Sequence, residues 1–180
     1  QLLPDHLDAT AALAAERGLW MHVDACVGGF LAPFVRDLGH DIPDFDFAVP
    51  GVTSISADLH KYGYAPKGAS LMLLRDRALL KHQTFTFSGW ERGTYVSNTA
   101  QGTRAGGAVA AAWAVMNFLG KDGFRHWAQV IMDTVEKLTR GINAIPGLAV
   151  LEPHELCLFV YRSTDPALDI GQVAEGLTQR

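Results

Sequence analysis

The chain has 180 residues, of which 48% are hydrophobic and 19% charged, a balance typical of a globular protein with a buried core. Its formal net charge of −4 gives no electrostatic basis for binding nucleic acid or an anionic membrane surface. The longest apolar stretch, residues 108–119, is shorter than the roughly 20 residues that a transmembrane helix needs.

Two cysteines, Cys26 and Cys157, fit no metal or disulfide spacing, although two cysteines could in principle pair. We expect reduced thiols in a cytoplasmic protein. The sequence starts at Gln1 rather than at Met, and it ends on what looks like an unfinished helix. We therefore expect a fragment.

The sequence predicts a helix, a buried strand and a loop in the first part of the chain. Pro4 begins the helix, which ends at Gly18. The apolar run 19–23 predicts a buried parallel strand, and Asp24 follows at its carboxyl end, where α/β sheets place ligand-binding groups. The loop after it is marked by Gly28, Gly29 and Pro33.

The middle of the chain alternates strands with polar loops, which is typical of a large α/β domain. Residues 53–56 and 70–74 predict two strands, and the connection between them contains Lys61. Residues 83–107 are rich in Gly, Ser and Thr and predict a long irregular loop, a feature that is usually functional.

The last part predicts helices over residues 108–119 and 123–145, then strands over 148–151 and 156–161. A further helix begins at Ile170. We place a domain boundary near Gly120, which divides the chain into residues 1–120 and 121–180.

Asp24 and Lys61 together match the two minimal demands of pyridoxal-phosphate (PLP) chemistry. One demand is a lysine amine that forms a Schiff base with the cofactor aldehyde, and the other is a carboxylate that keeps the pyridine nitrogen protonated. Taken alone, an Asp at a strand end is more often a cap, and a loop Lys is usually solvated.

Longer motifs carry a family resemblance. The segments "HVDACVGGF", "SISADLHKYGYAPKGAS" and "GTYVSNTAQGTRAGG" resemble the cofactor-binding core of group II PLP-dependent decarboxylases, and most of all their sphingosine-1-phosphate lyase members. The resemblance implies fold type I, the aspartate aminotransferase-like fold. Residues 1–120 would then be the C-terminal part of the large PLP-binding domain, and 121–180 a linker helix with the start of the small domain.

The resemblance also implies roles for single residues. Lys61 is the Schiff-base lysine, Asp24 the partner of the pyridinium nitrogen, and His60 a contact of the cofactor phosphate. Cys26 would lie below the cofactor ring, where decarboxylases commonly have Ala. A buried, inert thiol is an equally good interpretation of Cys26.

The resemblance implies that a lysine at the position of Lys67 separates the lyase-like members from the plain amino-acid decarboxylases, and that in the lyase-like members it faces the site. It could bind a substrate phosphate or act as a base on a β-hydroxyl. A solvated loop lysine is the alternative.

The resemblance further implies a homodimer. The loop with Tyr95, Gly102, Thr103 and Arg104 would reach the neighbouring subunit's site, with Tyr95 near the substrate phosphate and Gly102 and Thr103 near the cofactor. Alternatively, Thr103 or the backbone amides cap the helix that follows.

The predicted function is cleavage of a phosphorylated sphingoid base to a fatty aldehyde and phosphoethanolamine. One alternative is an amino-acid decarboxylase, and another is a non-catalytic remnant of the fold. A metal site built from His22, Asp24 and His60 is a weaker alternative, because the sequence shows no further cluster of metal ligands. We therefore expect no metal.

Overall fold

The computed structural model describes residues 4–151 and 155–179, which form a mixed α/β structure. The helices are α1 (Pro4–Arg17), α2 (Ala32–Asp37), α3 (Gly107–Asn143) and α4 (Ile170–Thr178). The strands are β1 (Met21–Asp24), β2 (Val52–Ala57), β3 (Leu71–Leu74), β4 (Phe85–Trp90), β5 (Gly93–Ser97), β6 (Leu148–Leu151) and β7 (Val160–Ser163). Short 3-10 helices cover Gly28–Phe30 and Arg77–His82. None of the helices in these ranges is long and apolar enough to cross a membrane.

The chain divides into two compact units. The first contains the residues up to Phe30 together with Pro43–Leu119, and the second contains Leu31–Ile42 together with the residues from Gly120 onward. The range of α3 contains two helices that meet at a kink, which confirms the predicted pair at 108–119 and 123–145; Gly120 at the kink has φ 57° and ψ −175°. Glycine has no Cβ, so it adopts this positive φ without a steric penalty.

A three-stranded sheet, in the order β1-β2-β3, forms the centre of the first unit. β1 pairs with β2 in parallel, as the sequence predicted, whereas β3 pairs with β2 in the antiparallel direction. Helix α1 packs on this sheet through a buried cluster whose members come from both elements: Leu7, Ala11, Ala14, Met21, Val52 and Ile55. Ala25, which directly follows the carboxyl end of β1, belongs to the same cluster.

Arg75 ties the start of β2 to the chain that follows β3. Its Nε donates to the carbonyl of Val52 over 2.5 Å, and its Nη2 donates to that of Val49 over 2.6 Å. The guanidinium also lies over the ring of Phe47, 5.4 Å from the ring centroid. These contacts hold β2 in register, and β2 runs directly into the turn that carries Lys61.

Residues 83–107 are not irregular throughout, so that prediction was wrong. Phe85–Trp90 and Gly93–Ser97 form a two-stranded antiparallel hairpin in which Trp90 faces Gly93. Gly93 has φ 111°, which a hairpin turn requires and glycine supplies. The β-branched and aromatic residues of the segment favour strands, but its many small polar residues obscured the alternation.

Two other local predictions also need correction. The loop at Gly28, Gly29 and Pro33 is largely helical, because Gly28–Phe30 forms a 3-10 turn and Pro33 lies in the first turn of α2, where proline is tolerated. The strand predicted at 156–161 lies later, at Val160–Ser163, where it pairs with β6. Helix α1, strands β2 and β6 and the start of α4 agree with the sequence predictions.

The second unit is built around the C-terminal part of α3. The ring of Phe34 in α2 stacks on Phe124 with centroids 4.9 Å apart, and Arg125 forms an ion pair with Asp37 at 3.0 Å. Strands β6 and β7 form a separate antiparallel pair. Cys26 in the first unit and Cys157 in the second are both free thiols.

Candidate active site

Asp24 is the last residue of β1, and its carboxylate is held by two donors. The backbone N–H of Cys26 and the hydroxyl of Ser56 both donate to Oδ1, each over 3.0 Å. Ser56 is the register partner of Asp24 on the parallel strand β2, which is why its hydroxyl reaches the carboxylate. Hydrogen bonds from Cys26 and Ser56 hold the pKa of Asp24 below its ordinary value. The side chain is therefore ionised at neutral pH.

Lys61 lies in a tight turn that follows β2. The turn is closed by backbone hydrogen bonds from Lys61 to Asp58 (3.2 Å) and from Ala65 to Leu59 (2.9 Å). The buried side chains of Leu59 and Ala65 anchor it in a small hydrophobic cluster. Lys61 stays partly exposed between these anchors, with 35% of its side-chain surface accessible.

The ammonium of Lys61 has two polar neighbours. Its Nζ lies 2.9 Å from Oδ2 of Asp58. Hydrogen bonding to the side chain of Cys26 first, and to Asp58 second, raises the pKa of Lys61 above its ordinary value. Hydrogen bonding to the half-buried side chain of Cys26 is also the largest cause that lowers the pKa of Asp24, so Cys26 influences both the carboxylate and the amine. The site therefore contains Asp24 and Lys61, on which the sequence prediction rested, together with Cys26.

His60 lies beside Lys61 and contacts two other groups of the same loop. Its Nδ1 is 3.5 Å from the carbonyl oxygen of Ala69, and its Nε2 is 3.8 Å from Oδ2 of Asp58. Asp58 also accepts a hydrogen bond from Ser70 over 2.6 Å. This bond first, and then the contact with Lys61, lowers the pKa of Asp58.

Asp58 and Ser56 are site residues to which the sequence analysis assigned no role. A signal for Asp58 was present, because an acidic residue three positions before a lysine can pair with it within one turn. The contribution of Ser56 depends on the register between β1 and β2, which the sequence does not display. Among the described residues, no group of three His, Cys, Asp or Glu side chains is arranged to hold a metal ion.

Lys67 lies exposed in the connection between β2 and β3. It makes no ion pair with any residue in the described part of the chain. Its neighbour Gly68 has φ 112°, and a Cβ there would meet Ala108 at 3.3 Å. The connection is therefore compact around the lysine.

Tyr95 lies on β5 rather than in an irregular loop, and 42% of its surface is exposed. It lines an open cleft of about 510 Å³ together with Gln101 and Gly102. Arg104 donates to the side chain of Gln101 over 3.1 Å. Thr103 is not the N-cap of α3, because this helix begins only at Gly107.

The conserved-domain profile described as "Pyridoxal-dependent decarboxylase conserved domain" matches residues 4–163. The chain therefore belongs to the pyridoxal-dependent decarboxylase family. A sphingosine-1-phosphate lyase from Oryza sativa subsp. japonica is 42% identical over 178 residues, which cover 99% of this chain and 33% of the relative. A probable L-tyrosine/L-aspartate decarboxylase from Methanothermobacter thermautotrophicus is 32% identical and is matched over 47% of its length by 97% of this chain.

The solved structure of a sphingosine-1-phosphate lyase from Burkholderia pseudomallei superimposes with a TM-score of 0.88 at 42% identity. The match covers 97% of this chain and 39% of that structure. These findings confirm the resemblance to sphingosine-1-phosphate lyases that the sequence motifs indicated. The chain spans about a third of the length of the first of these relatives.

Proposed function

We propose that this chain carries the cofactor lysine of a PLP-dependent carbon–carbon lyase of fold type I. Its substrate would be a phosphorylated sphingoid base, which is cleaved to a fatty aldehyde and phosphoethanolamine. The observation that carries the proposal is that an ionised Asp24 ends β1 while Lys61 lies in the turn that directly follows the neighbouring parallel strand β2, and that Cys26 shifts the pKa values of both. The 42% identity to sphingosine-1-phosphate lyases supports the same assignment.

The donor set fits PLP. Bound PLP supplies an aldehyde for a lysine amine and a pyridinium ring that accepts electrons from the substrate. Asp24 meets the requirement for a fixed negative charge, because two hydrogen bonds to Oδ1 hold its carboxylate in place. Lys61 is the candidate for covalent attachment, and His60 is a candidate for the cofactor phosphate.

Lys61 must lose a proton before it can act as a nucleophile. Its ion pair with Asp58 at 2.9 Å stabilises the protonated amine, so this contact has to weaken when the cofactor is attached. Asp58 is the carboxylate that pairs with Lys61 within the same turn. We assign it the role of keeping the lysine side chain in position both while the amine is protonated and after it has lost its proton.

Lys67 is the residue that favours a lyase. A lyase of this kind has to anchor a phosphate and remove the proton of a β-hydroxyl, and a cation close to the cofactor lysine serves the first need. The exposed position of Lys67 and its lack of an ion pair with any described residue support this role. Simple decarboxylation has less need of such a charge, because its substrate carries no phosphate.

We further propose a homodimer in which the β4–β5 hairpin serves the neighbouring subunit. Half or more of the surface of Phe85, Phe87 and Trp90 is exposed, and Tyr95 is exposed beside them. Contiguous apolar surface of this kind is typical of an interface. Gly102 and Thr103 follow the hairpin and would approach the neighbouring subunit's cofactor.

An amino-acid decarboxylase is the second candidate. It is favoured by the 32% identity to a probable L-tyrosine/L-aspartate decarboxylase over nearly the whole chain. Both reactions need Lys61 and Asp24, so these residues do not distinguish them. The third possibility, a remnant without activity, predicts no covalent cofactor at all.

The test is made on the complete gene product incubated with PLP and reduced with borohydride. We expect the reduced cofactor on Lys61 by peptide mass spectrometry. A label on Lys67 or Lys81 instead would overturn the site assignment, and no label would favour the remnant.

The reaction is then identified from its products. Phosphoethanolamine and aldehyde released from a phosphorylated long-chain base are compared with carbon dioxide released from common amino acids. Loss of a charge-assisted phosphate contact costs about 2–3 kcal/mol, so Lys67→Ala should lower kcat/KM for the lyase reaction roughly a hundredfold. Lys81→Ala is the control, because Lys81 is also an exposed lysine but lies in the Arg77–His82 helix. If carbon dioxide dominates and Lys67→Ala is silent, the decarboxylase is the correct assignment.

A further inference from the structure

A chain of hydrogen bonds runs along one face of the β1–β2 pair and ends at Asp24. Nε1 of Trp20 donates to the hydroxyl oxygen of Ser54 over 2.8 Å. Nδ1 of His22 lies 2.8 Å from that same oxygen, and Nε2 of His22 lies 3.2 Å from the hydroxyl of Ser56. The hydroxyl of Ser56 in turn donates to Oδ1 of Asp24. We refer to these five side chains as the Trp20–Asp24 relay.

The strand register explains why the relay exists. His22 faces Ser54 and Asp24 faces Ser56 across the parallel pair. Successive side chains in a strand alternate between faces, so residues two apart share a face. Ser54 is fully buried, which gives the middle of the relay a fixed position.

The two ends of the relay determine which atom donates and which accepts in each of its hydrogen bonds. An indole N–H can only donate, and an ionised carboxylate can only accept. The proton of Ser56 goes to Asp24, so the oxygen of Ser56 is left to accept from Nε2–H of His22. Nδ1 of His22 then accepts from Ser54, whose oxygen accepts from Trp20. Every donor and acceptor along the relay is matched when His22 is the neutral Nε2–H tautomer.

We propose that His22 is a positioning residue that, through Ser56, orients the Asp24 carboxylate toward the cofactor ring and favours its ionised form. The inference rests on the proposed PLP function. Hydrogen bonds that point the same way polarise one another, so a donor behind Ser56 strengthens the bond that Ser56 makes to Asp24. His22 itself touches neither cofactor nor substrate in this assignment.

Three substitutions of His22 separate this role from simple packing. In His22→Gln the amide nitrogen can reach the position of Nε2 and keep the donor to Ser56. In His22→Asn a polar group remains on the Ser54 side but does not reach Ser56, and His22→Leu removes both contacts. All three are made in the complete gene product, and thermal unfolding is followed in parallel.

Two measurements are made on each variant: PLP affinity, by fluorescence titration of the cofactor-free protein, and ring-nitrogen protonation, by NMR with ¹⁵N-labelled PLP. Loss of one hydrogen bond to a charge-linked group is expected to weaken PLP binding about tenfold in His22→Asn and His22→Leu. The protonated fraction of the ring nitrogen should fall in the same two variants. His22→Gln should stay within about twofold of the unmodified protein.

Ser56→Ala breaks the same link if the His22→Leu protein does not fold. The double variant His22→Asn/Ser56→Ala should then bind PLP no more weakly than Ser56→Ala alone, because both changes cut one path. Additive losses, or a His22→Gln protein as impaired as His22→Leu, would overturn the relay. Asp24→Asn is measured alongside. If Asp24→Asn leaves both PLP binding and ring-nitrogen protonation unchanged, the proposed function fails. If Asp24→Asn changes them but His22→Leu does not, only the relay is refuted.

Discussion

Gly63 lies two residues after Lys61, where the chain comes very close to itself. A Cβ at this position would lie 2.6 Å from the carbonyl oxygen of Leu59 and 2.8 Å from its Cα. Ordinary contact begins near 3.4 Å, so Gly63→Ala must separate the two backbone segments by about 0.8 Å. Both contacts are to backbone, which cannot rotate away as the end of a side chain can. The turn around Lys61 therefore has to open.

The cost of opening the turn has two parts. Forcing a methyl group into a packed site costs about 1–3 kcal/mol. The hydrogen bond from Ala65 to Leu59, now 2.9 Å, spans the same gap, and its loss adds about 1 kcal/mol. A displacement approaching 1 Å at a reacting group can lower a rate roughly a hundredfold. We therefore expect Gly63→Ala to destabilise the protein and to slow covalent attachment of PLP to Lys61 by about that factor.

The assay combines denaturant unfolding of the complete gene product with the rate at which borohydride-stable cofactor accumulates on Lys61. Gly141→Ala is the matched control, because Gly141 lies in helix α3 and a Cβ there meets nothing within 4 Å. This control should stabilise the protein by about 0.5–1 kcal/mol and leave attachment unchanged. If Gly63→Ala is as stable and as reactive as the control, the turn is not the constraint that the geometry indicates.

Three further predictions follow from the same site. Asp24→Asn should retain covalent PLP but lower turnover about a hundredfold, since a neutral amide cannot hold the ring nitrogen protonated; near-normal turnover in a steady-state assay would leave Asp24 a structural cap. Mixing Lys61→Ala with Tyr95→Phe subunits should restore part of the activity, and mixed dimers that form but stay inactive would count against Tyr95 acting across the interface. The pKa of Asp58 is lowered in the folded state, so its stabilising effect is present above the ordinary value of 3.8 and is lost as the pH falls through the lower folded value. Melting curves of Asp58→Asn and of the unmodified protein should thus differ at pH 6 and converge as the pH falls below 3.8 through the lower folded value, and a constant difference would refute the assignment.

Much of the first sheet could be predicted from the sequence, because its signals are local. The apolar run before Asp24 and the β-branched run before Asp58 each form a strand, as expected. Glycine and proline marked the connection that holds Lys61. The geometry of parallel sheets also led us to predict a ligand-binding role for Asp24 at the carboxyl end of β1, which stays a prediction.

What could not be predicted depends on pairing between distant segments. The β4–β5 hairpin was missed because glycine, serine and threonine dilute its alternating pattern. The role of Ser56 depends on its being opposite Asp24 rather than one residue away, since a shift of one position would turn its hydroxyl to the other face. His22 was considered only as a metal ligand, yet both of its ring nitrogens face serine hydroxyls.

The two carboxylates near Lys61 are ionised for different reasons, and this difference separates their roles. Asp24 is held by the backbone N–H of Cys26, just after β1, and by Ser56 on β2, whereas Asp58 is held by Ser70 and by the ammonium of Lys61. When Lys61 gives up its proton, Asp58 loses its charged partner but Asp24 keeps both of its hydrogen-bond donors. The ionised state of Asp24 therefore depends less on the protonation state of Lys61, whose charge contributes least to lowering the pKa of Asp24. A site that needs one constant negative charge and one lysine of variable charge requires this division.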